Sequence, residues 1–258
     1  MATGHAHRLY VHRPSPVHGL PPQVKLVAAF TFVLVVVSAP FRQLWAFGLF
    51  AVLILAVAAV AEVPIGLLLR RTAVEIPFVL FAVLLPFISQ GDRVDVLGLS
   101  LSVSGLWGAW SVLAKATLGV LTSLLLATTT ELGDLVAGLD RLHLPTLIVQ
   151  IMTFMIRYAD VVTGEMRRMR LARISRGFVA RDIRHLPVLA RSLAVLFIRS
   201  FERGERVHLA MLSRGYTGRF PLRTQAAGAG HWILALCLPA VALAVAAAAW
   251  GVELSQGA

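Results

Sequence analysis

The residues best placed for chemistry are two short, near-identical strings. Leu171-Ala172-Arg173-Ile174-Ser175-Arg176-Gly177-Phe178 is repeated as Leu209-Ala210-Met211-Leu212-Ser213-Arg214-Gly215-Tyr216, with five of eight positions identical and two more like for like. Each follows a charge-rich, helix-compatible stretch, residues 165–170 and 202–206, and closes on glycine, the residue that best accepts the left-handed conformation at a helix end. Arg176 and Arg214 therefore fall in the last turn of a helix, where a cation is favoured by the helix dipole. The planar guanidinium makes paired hydrogen bonds to carboxylates and exposed carbonyls. Two equivalent arginine-tipped ends suit two equivalent surfaces, such as the halves of a protein dimer. One copy alone would read as a good helix stop; two copies with matching approaches point to recognition.

Other chemistry-bearing residues are isolated. Lys115 lies in the middle of an apolar run, where a charge is a functional candidate by default. Without a relay of carboxylates, snorkelling or a backbone-carbonyl contact is expected there in preference to ion translocation. Glu75 is placed about one turn from the cytoplasmic edge, in a local i,i+4 pair with Arg71. His5, His7, His12 and His18 have no spacing that closes a metal site and read as a polar tail. His143, His185 and His208 read as scattered polar contacts. Cys237 has no partner in the chain. No nucleotide-binding glycine loop, His-Glu-x-x-His pair, aspartate-rich prenyl motif or Gly-x-Ser-x-Gly elbow occurs. Hence no catalytic residue and no metal ligand is assigned, no cofactor is expected, and an intramembrane enzyme is set aside.

The elements that must position the two arginines are mostly apolar. The 258 residues are 58% hydrophobic and 14% charged, with a mean hydropathy of +0.79. Soluble domains carry about 25% charged residues, so water is not this chain's only solvent. Windows at 25–39, 43–61, 73–89, 103–130 and 231–252 qualify as membrane spans or come close. None alternates with period two, so the spans are helical, and the fold class is an all-α integral membrane protein with about five transmembrane helices plus cytoplasmic helices. Pro40 closes the first span. Gly105, Gly108 and Gly119 read as close helix packing, and 228–230 as a flexible lead-in to the last span.

The formal charge of +11 would suit nucleic acid, but the apolar runs argue against that partner. Residues 131–230 hold 16 Arg, no Lys and 8 Asp+Glu, and so carry eight of the eleven net charges. By the positive-inside rule this region and the N-terminus are cytoplasmic and the extreme C-terminus is outside. The organisation is then 1–24, a cytoplasmic N-terminal segment without a cleavable signal; 25–130, helices one to four; 131–230, a helical cytoplasmic region; and 231–258, the final helix and tail. Within 131–230, the apolar stretches 147–156 and 186–198 are too short to span and are expected as amphipathic helices along the bilayer, with helix starts at Pro145 and at Leu186-Pro187.

These residues resemble the CbiQ family, the transmembrane (T) component of energy-coupling factor (ECF) transporters of the cobalt/nickel type. The likeness is carried by Ser15-Pro16-Val17-His18-Gly19-Leu20-Pro21-Pro22-Gln23-Val24-Lys25-Leu26, by Thr128-Thr129-Thr130 with 132–145, by Arg157 with Glu165 and Arg168, and above all by the two Arg-Gly motifs. Gly19, Pro21 and Gln23 stand where the family has Arg, Asp and Arg. The resemblance implies a non-catalytic subunit in the bacterial inner membrane. It implies that Ser175-Arg176-Gly177 and Ser213-Arg214-Gly215, supported by Ala172, Ala210, Glu165 and Arg168, dock on two cytoplasmic ABC ATPase subunits. It further implies a small substrate-binding membrane subunit of the CbiM or NikM type as partner, membrane lipid around the spans, and cobalt or nickel as cargo. A basic membrane scaffold that binds anionic lipid or a regulatory protein is the alternative.

Overall fold

Proline and the apolar runs set the helix ends. The computed structural model describes residues 10, 13, 15–64, 66, 75–89, 93–96, 99–178, 182, 185–218 and 226–256. These residues form eight helices: α1 (Pro22–Ser38), α2 (Leu44–Val60), α3 (Ile76–Ile88), α4 (Val103–Thr129), α5 (Leu132–Arg141), α6 (Thr146–Ser175), α7 (Leu186–Leu212) and α8 (Ala229–Gln256). Helix α1 stops at Ser38 because Pro40 disfavours a helical residue before it, and Ala39 is extended at φ −65°, ψ 141°. Helices α3 and α7 carry a proline in the first turn, where its missing N–H costs nothing. The Ser102 hydroxyl accepts from the Gly105 N–H and caps α4.

The described residues fall into two compact units, one within 9–138 and 224–258, the other within 139–223. The first contains all five apolar runs read from the sequence, each now a helix: α1, α2, α3, α4 and α8. Its core joins Phe32, Val35 and Val36 of α1, Phe47, Phe50 and Ile54 of α2, Leu118 of α4, and Ala242, Ala246 and Ala249 of α8. Phe50 meets Phe32 and Phe47 edge to face at 6.1 Å, the arrangement that aromatic quadrupoles favour. The alanine face of α8 lets backbones approach, which matters in lipid because helix association there rests on packing and not on exclusion from water.

Glycine serves the same end at Gly105, where an added Cβ would lie 2.7 Å from Pro86 Cα and 2.8 Å from the Leu85 carbonyl oxygen. Helices α3 and α4 therefore touch backbone to backbone. Gly108 has only ordinary contact with Leu85, and Gly119 has nothing within 4 Å, which corrects the reading of Gly119 as a packing residue. Residues 229 and 230 belong to α8 itself, and the Gly228 carbonyl accepts from the His231 N–H at 3.0 Å, so this lead-in is a helical turn. A two-stranded antiparallel hairpin, β1 (Arg93–Val96) and β2 (Leu99–Ser102), pairs Arg93 with Ser102 and Val96 with Leu99 in the loop expected to lie outside. Among the described residues it is the only strand pair, a local addition to the helices.

By length and composition, α4, α6 and α8 are long and apolar enough to cross a membrane, while α1, α2 and α3 are shorter apolar helices of 17, 17 and 13 residues. The chain is a multi-pass membrane protein. The appearance of α6 in this set corrects the expectation of a short helix at 147–156. That apolar stretch continues without a break into the charged residues after it, giving one helix of 30 residues, or about 45 Å. Residues 186–198 likewise open a helix of 27 residues. Neither charged half contains a proline or a glycine pair that would stop it. Pro145 stands at the N-cap of α6, one position before the N1 site expected.

Candidate functional site

The second unit is built on α6 and α7. Both helices end in the same way, bond for bond. At the end of α6, the Phe178 N–H donates to the Arg173 carbonyl at 3.0 Å and the Gly177 N–H to Ile174 at 2.9 Å. At the end of α7, the Tyr216 N–H donates to Met211 at 3.0 Å and the Gly215 N–H to Leu212 at 3.0 Å. This is a Schellman closure in each copy. It requires a left-handed residue at the glycine, and Gly177 and Gly215 have φ of 73° and 81°. The serines match too: Ser175 Oγ donates to the Ala172 carbonyl at 3.1 Å and Ser213 Oγ to Ala210 at 3.0 Å. In this way Ala172 and Ala210 supply a carbonyl and no bulk.

Each closure holds one arginine at the tip. Arg176 and Arg214 are exposed, and among the described residues neither makes an ion pair. Phe178 packs edge to face on His185 at 5.2 Å, and His185 Nδ1 accepts from the Asp182 N–H.

The two tips lie at opposite ends of an antiparallel pair. Arg173 of α6 donates to Ser192 Oγ near the start of α7 at 3.1 Å, Glu165 pairs with Arg199 further along, and Gln150 Nε2 donates to the Gly218 carbonyl beyond the end of α7. Arg214 is therefore level with the beginning of α6. Arg176 is 26 positions along the chain from Gln150, about 39 Å at 1.5 Å per residue. A spacing of this size serves two separate surfaces, not one pocket.

Glu165 sets the crossing. Its Oε1 takes Arg199 Nη1 at 2.8 Å, and its Oε2 takes Arg168 Nη2 at 2.5 Å and Nε at 3.2 Å. These bonds hold its carboxyl below the usual carboxylate range. Its side chain is 18% exposed, against 59% for Arg199. Arg157 does not join this group. The family resemblance singled out Glu165 and Arg168 but not Arg199, which sits 34 residues from Glu165 and meets it only because the helices cross. Above this tie, Phe154, Tyr158, Val162, Val207, His208 and Met211 line an apolar groove of about 380 Å³.

Lys115, Glu75 and His18 resolve as contacts within the first unit. Lys115 Nζ donates to the Val37 carbonyl at 2.7 Å, the backbone contact expected for it. Glu75 is 8% exposed and accepts from Thr117 Oγ1 at 3.0 Å. Thr117 lies near the middle of α4, so Glu75 sits deeper than the edge position read from the sequence; Arg71 lies outside the described residues. His18 Nδ1 is 2.7 Å from Ser15 Oγ. His5, His7 and His12 lie outside the described residues. His143 has φ 62° in the turn between α5 and α6.

A family model described as a cobalt transport protein, CbiQ, matches residues 13–226. The energy-coupling factor transporter transmembrane protein EcfT of Bacillus subtilis is 31% identical over 227 residues, covering 81% of this chain and 83% of that protein. The cobalt transport protein CbiQ of Rhodobacter capsulatus is 28% identical, over 74% of this chain and 72% of its own length. A putative fused cobalt transport protein CbiMQ of Methanocorpusculum labreanum is 26% identical over 79% of this chain and 35% of its own.

Proposed function

The chain belongs to the CbiQ family of cobalt transport proteins, the transmembrane components of ECF transporters, and from that premise we propose that it couples two cytoplasmic ABC ATPase subunits to a small membrane subunit that binds cobalt or nickel. The observation that carries this reading is the pair of matching helix closures, each presenting an exposed arginine that makes no ion pair among the described residues, about 39 Å apart on one antiparallel frame. Arg176 and Arg214 dock on carboxylates or helix-end carbonyls of the two ATPases. Closure of the ATPase dimer then displaces the two tips. Because Glu165 ties α6 to α7 through Arg199, the displacement moves the frame and not one helix alone. The metal is cargo handled by the partner subunit, a CbiM or NikM type protein, and this chain performs no chemistry on ATP. The complex sits in the bacterial inner membrane. Helix α6, although long and apolar enough to cross it, lies with α7 along the cytoplasmic side, since both arginine tips at opposite ends of this pair must face the ATPases.

The test is Arg176→Glu with Arg214→Glu. The variant inserts in the membrane at the wild-type level, loses co-purification with the ATPases, and loses metal uptake by cells. Co-purification at the wild-type level refutes the role of these arginines. Salt-sensitive binding to anionic vesicles with no need of an ATPase partner would instead favour a basic membrane scaffold.

A further inference from the structure

Two lysines in apolar runs sit at complementary places on one helix pair. Helices α1 and α4 run antiparallel, each bears a lysine, and each lysine serves the C-terminal end of the other helix. Lys25, in the first turn of α1, is 8% exposed; its Nζ donates to the Thr129 carbonyl at 2.9 Å, to Thr130 Oγ1 at 3.4 Å and to the His18 carbonyl at 3.1 Å. Thr129 is the last residue of α4. Lys115 of α4 donates to the carbonyl of Val37, one residue before the end of α1, at 2.7 Å. Beside it, Trp250 Nε1 of α8 donates to the Ser38 carbonyl at 3.1 Å.

A helix end has four carbonyls without intrahelical partners, and it carries the negative pole of the helix dipole. In water the solvent satisfies these groups; in hydrocarbon an unpaired carbonyl is costly. Helix α1 faces this problem because it is short. Lys115 is twelve positions along α4 from Val103, so α1 ends about 18 Å below the N-terminal end of α4. A cation on α4 at that depth meets the exposed carbonyl and the dipole together. Lys115 is thus explained by where α1 stops.

We propose that Lys25 and Lys115 form a two-ended clasp that fixes the axial register of α1 against α4. The spacings agree. From Lys25 to Val37 is 12 residues, about 18 Å, and from Lys115 to Thr129 is 14 residues, about 21 Å. The mismatch of about 3 Å is within the reach of a lysine side chain. A slide of one turn, about 5.4 Å in either direction, parts both ammonium groups from their carbonyls at once. Helices α1 and α4 therefore move as one body, and shear within this unit takes place at other helix contacts. This inference does not depend on which partners the chain takes.

The experiment places spin labels at Leu34 of α1 and Leu106 of α4, 53% and 41% exposed, on the full chain carrying Cys237→Ser in lipid nanodiscs. With both lysines present the distance distribution is single and narrow. In Lys25→Met with Lys115→Met it gains a second population, displaced by about 5 Å, roughly one turn. In Lys25→Arg with Lys115→Arg it stays single, since the cations and donors remain. A single narrow distance in the double methionine variant overturns the clasp, as does an equal second population in the double arginine variant. If the double methionine variant is not monodisperse, Lys115→Met alone decides: broadening that Lys115→Arg reverses supports the clasp, and an unbroadened distance overturns it.

Discussion

Replacing Gly177 with alanine isolates what the helix closure contributes to the proposed docking. The backbone there has φ 73°, and an added Cβ meets nothing within 4 Å, so the substitution introduces no clash. Its whole cost is conformational, about 1–2 kcal/mol for an L-residue in the left-handed region. At about 1.4 kcal/mol per tenfold, the closed form loses at most roughly 5–30-fold in population. If the ATPase reads Arg176 only from the closed form, its affinity falls by up to that factor. The same argument applies at Gly215, with φ 81° and equally open surroundings. Asparagine, which tolerates the left-handed region, should recover most of the loss, and valine should exceed the alanine effect. The assay is a titration of purified ATPase against the chain in nanodiscs, with each variant made singly at both sites. Wild-type affinity in both alanine variants, or an asparagine variant as weak as valine, would show that the closures do not present the arginines.

The remaining predictions concern the α6–α7 frame and the packing of α4 in the first unit. Glu165 has a depressed folded pKa, so its tie to Arg168 and Arg199 is intact above the unfolded value of about 4.3 and is lost as pH falls below that value through the folded pKa. A label pair across α6 and α7 should hold one distance at neutral pH and broaden only in acid, and Glu165→Gln should broaden it at neutral pH. Gly105→Ala forces a Cβ to 2.7 Å from the Pro86 backbone and should destabilise the chain by about 1–3 kcal/mol, seen as a lower Tm in detergent. Gly119→Ala, with open space, should be neutral or stabilising by up to about 1 kcal/mol.

The apolar runs were legible because a membrane-spanning helix must be apolar along its whole length, and all five became helices of one unit. The helix closures were legible for a similar reason: a Schellman end needs glycine at one position and leaves its mark locally. Element lengths were less legible. The change from apolar to charged sequence inside α6 looked like an end, yet a change of composition does not break a helix where no proline or glycine pair interrupts it. Arg199 was invisible, since nothing in a 34-residue separation says that two helices cross there. Glu75 was misplaced in depth because its level is set by packing of α3 on α4 through Gly105.

Sequence alone determined the solvent, the helical class and the two arginine-tipped ends, because each follows from local free energy: transfer of side chains into lipid and the φ a glycine allows. Only the tertiary structure decided how far apart the tips lie, which carboxylate ties their helices, and why two lysines belong among apolar residues. Those depend on where one helix ends beside another. A carbonyl left bare at the end of α1 becomes a site for Lys115 only once α4 is packed against it.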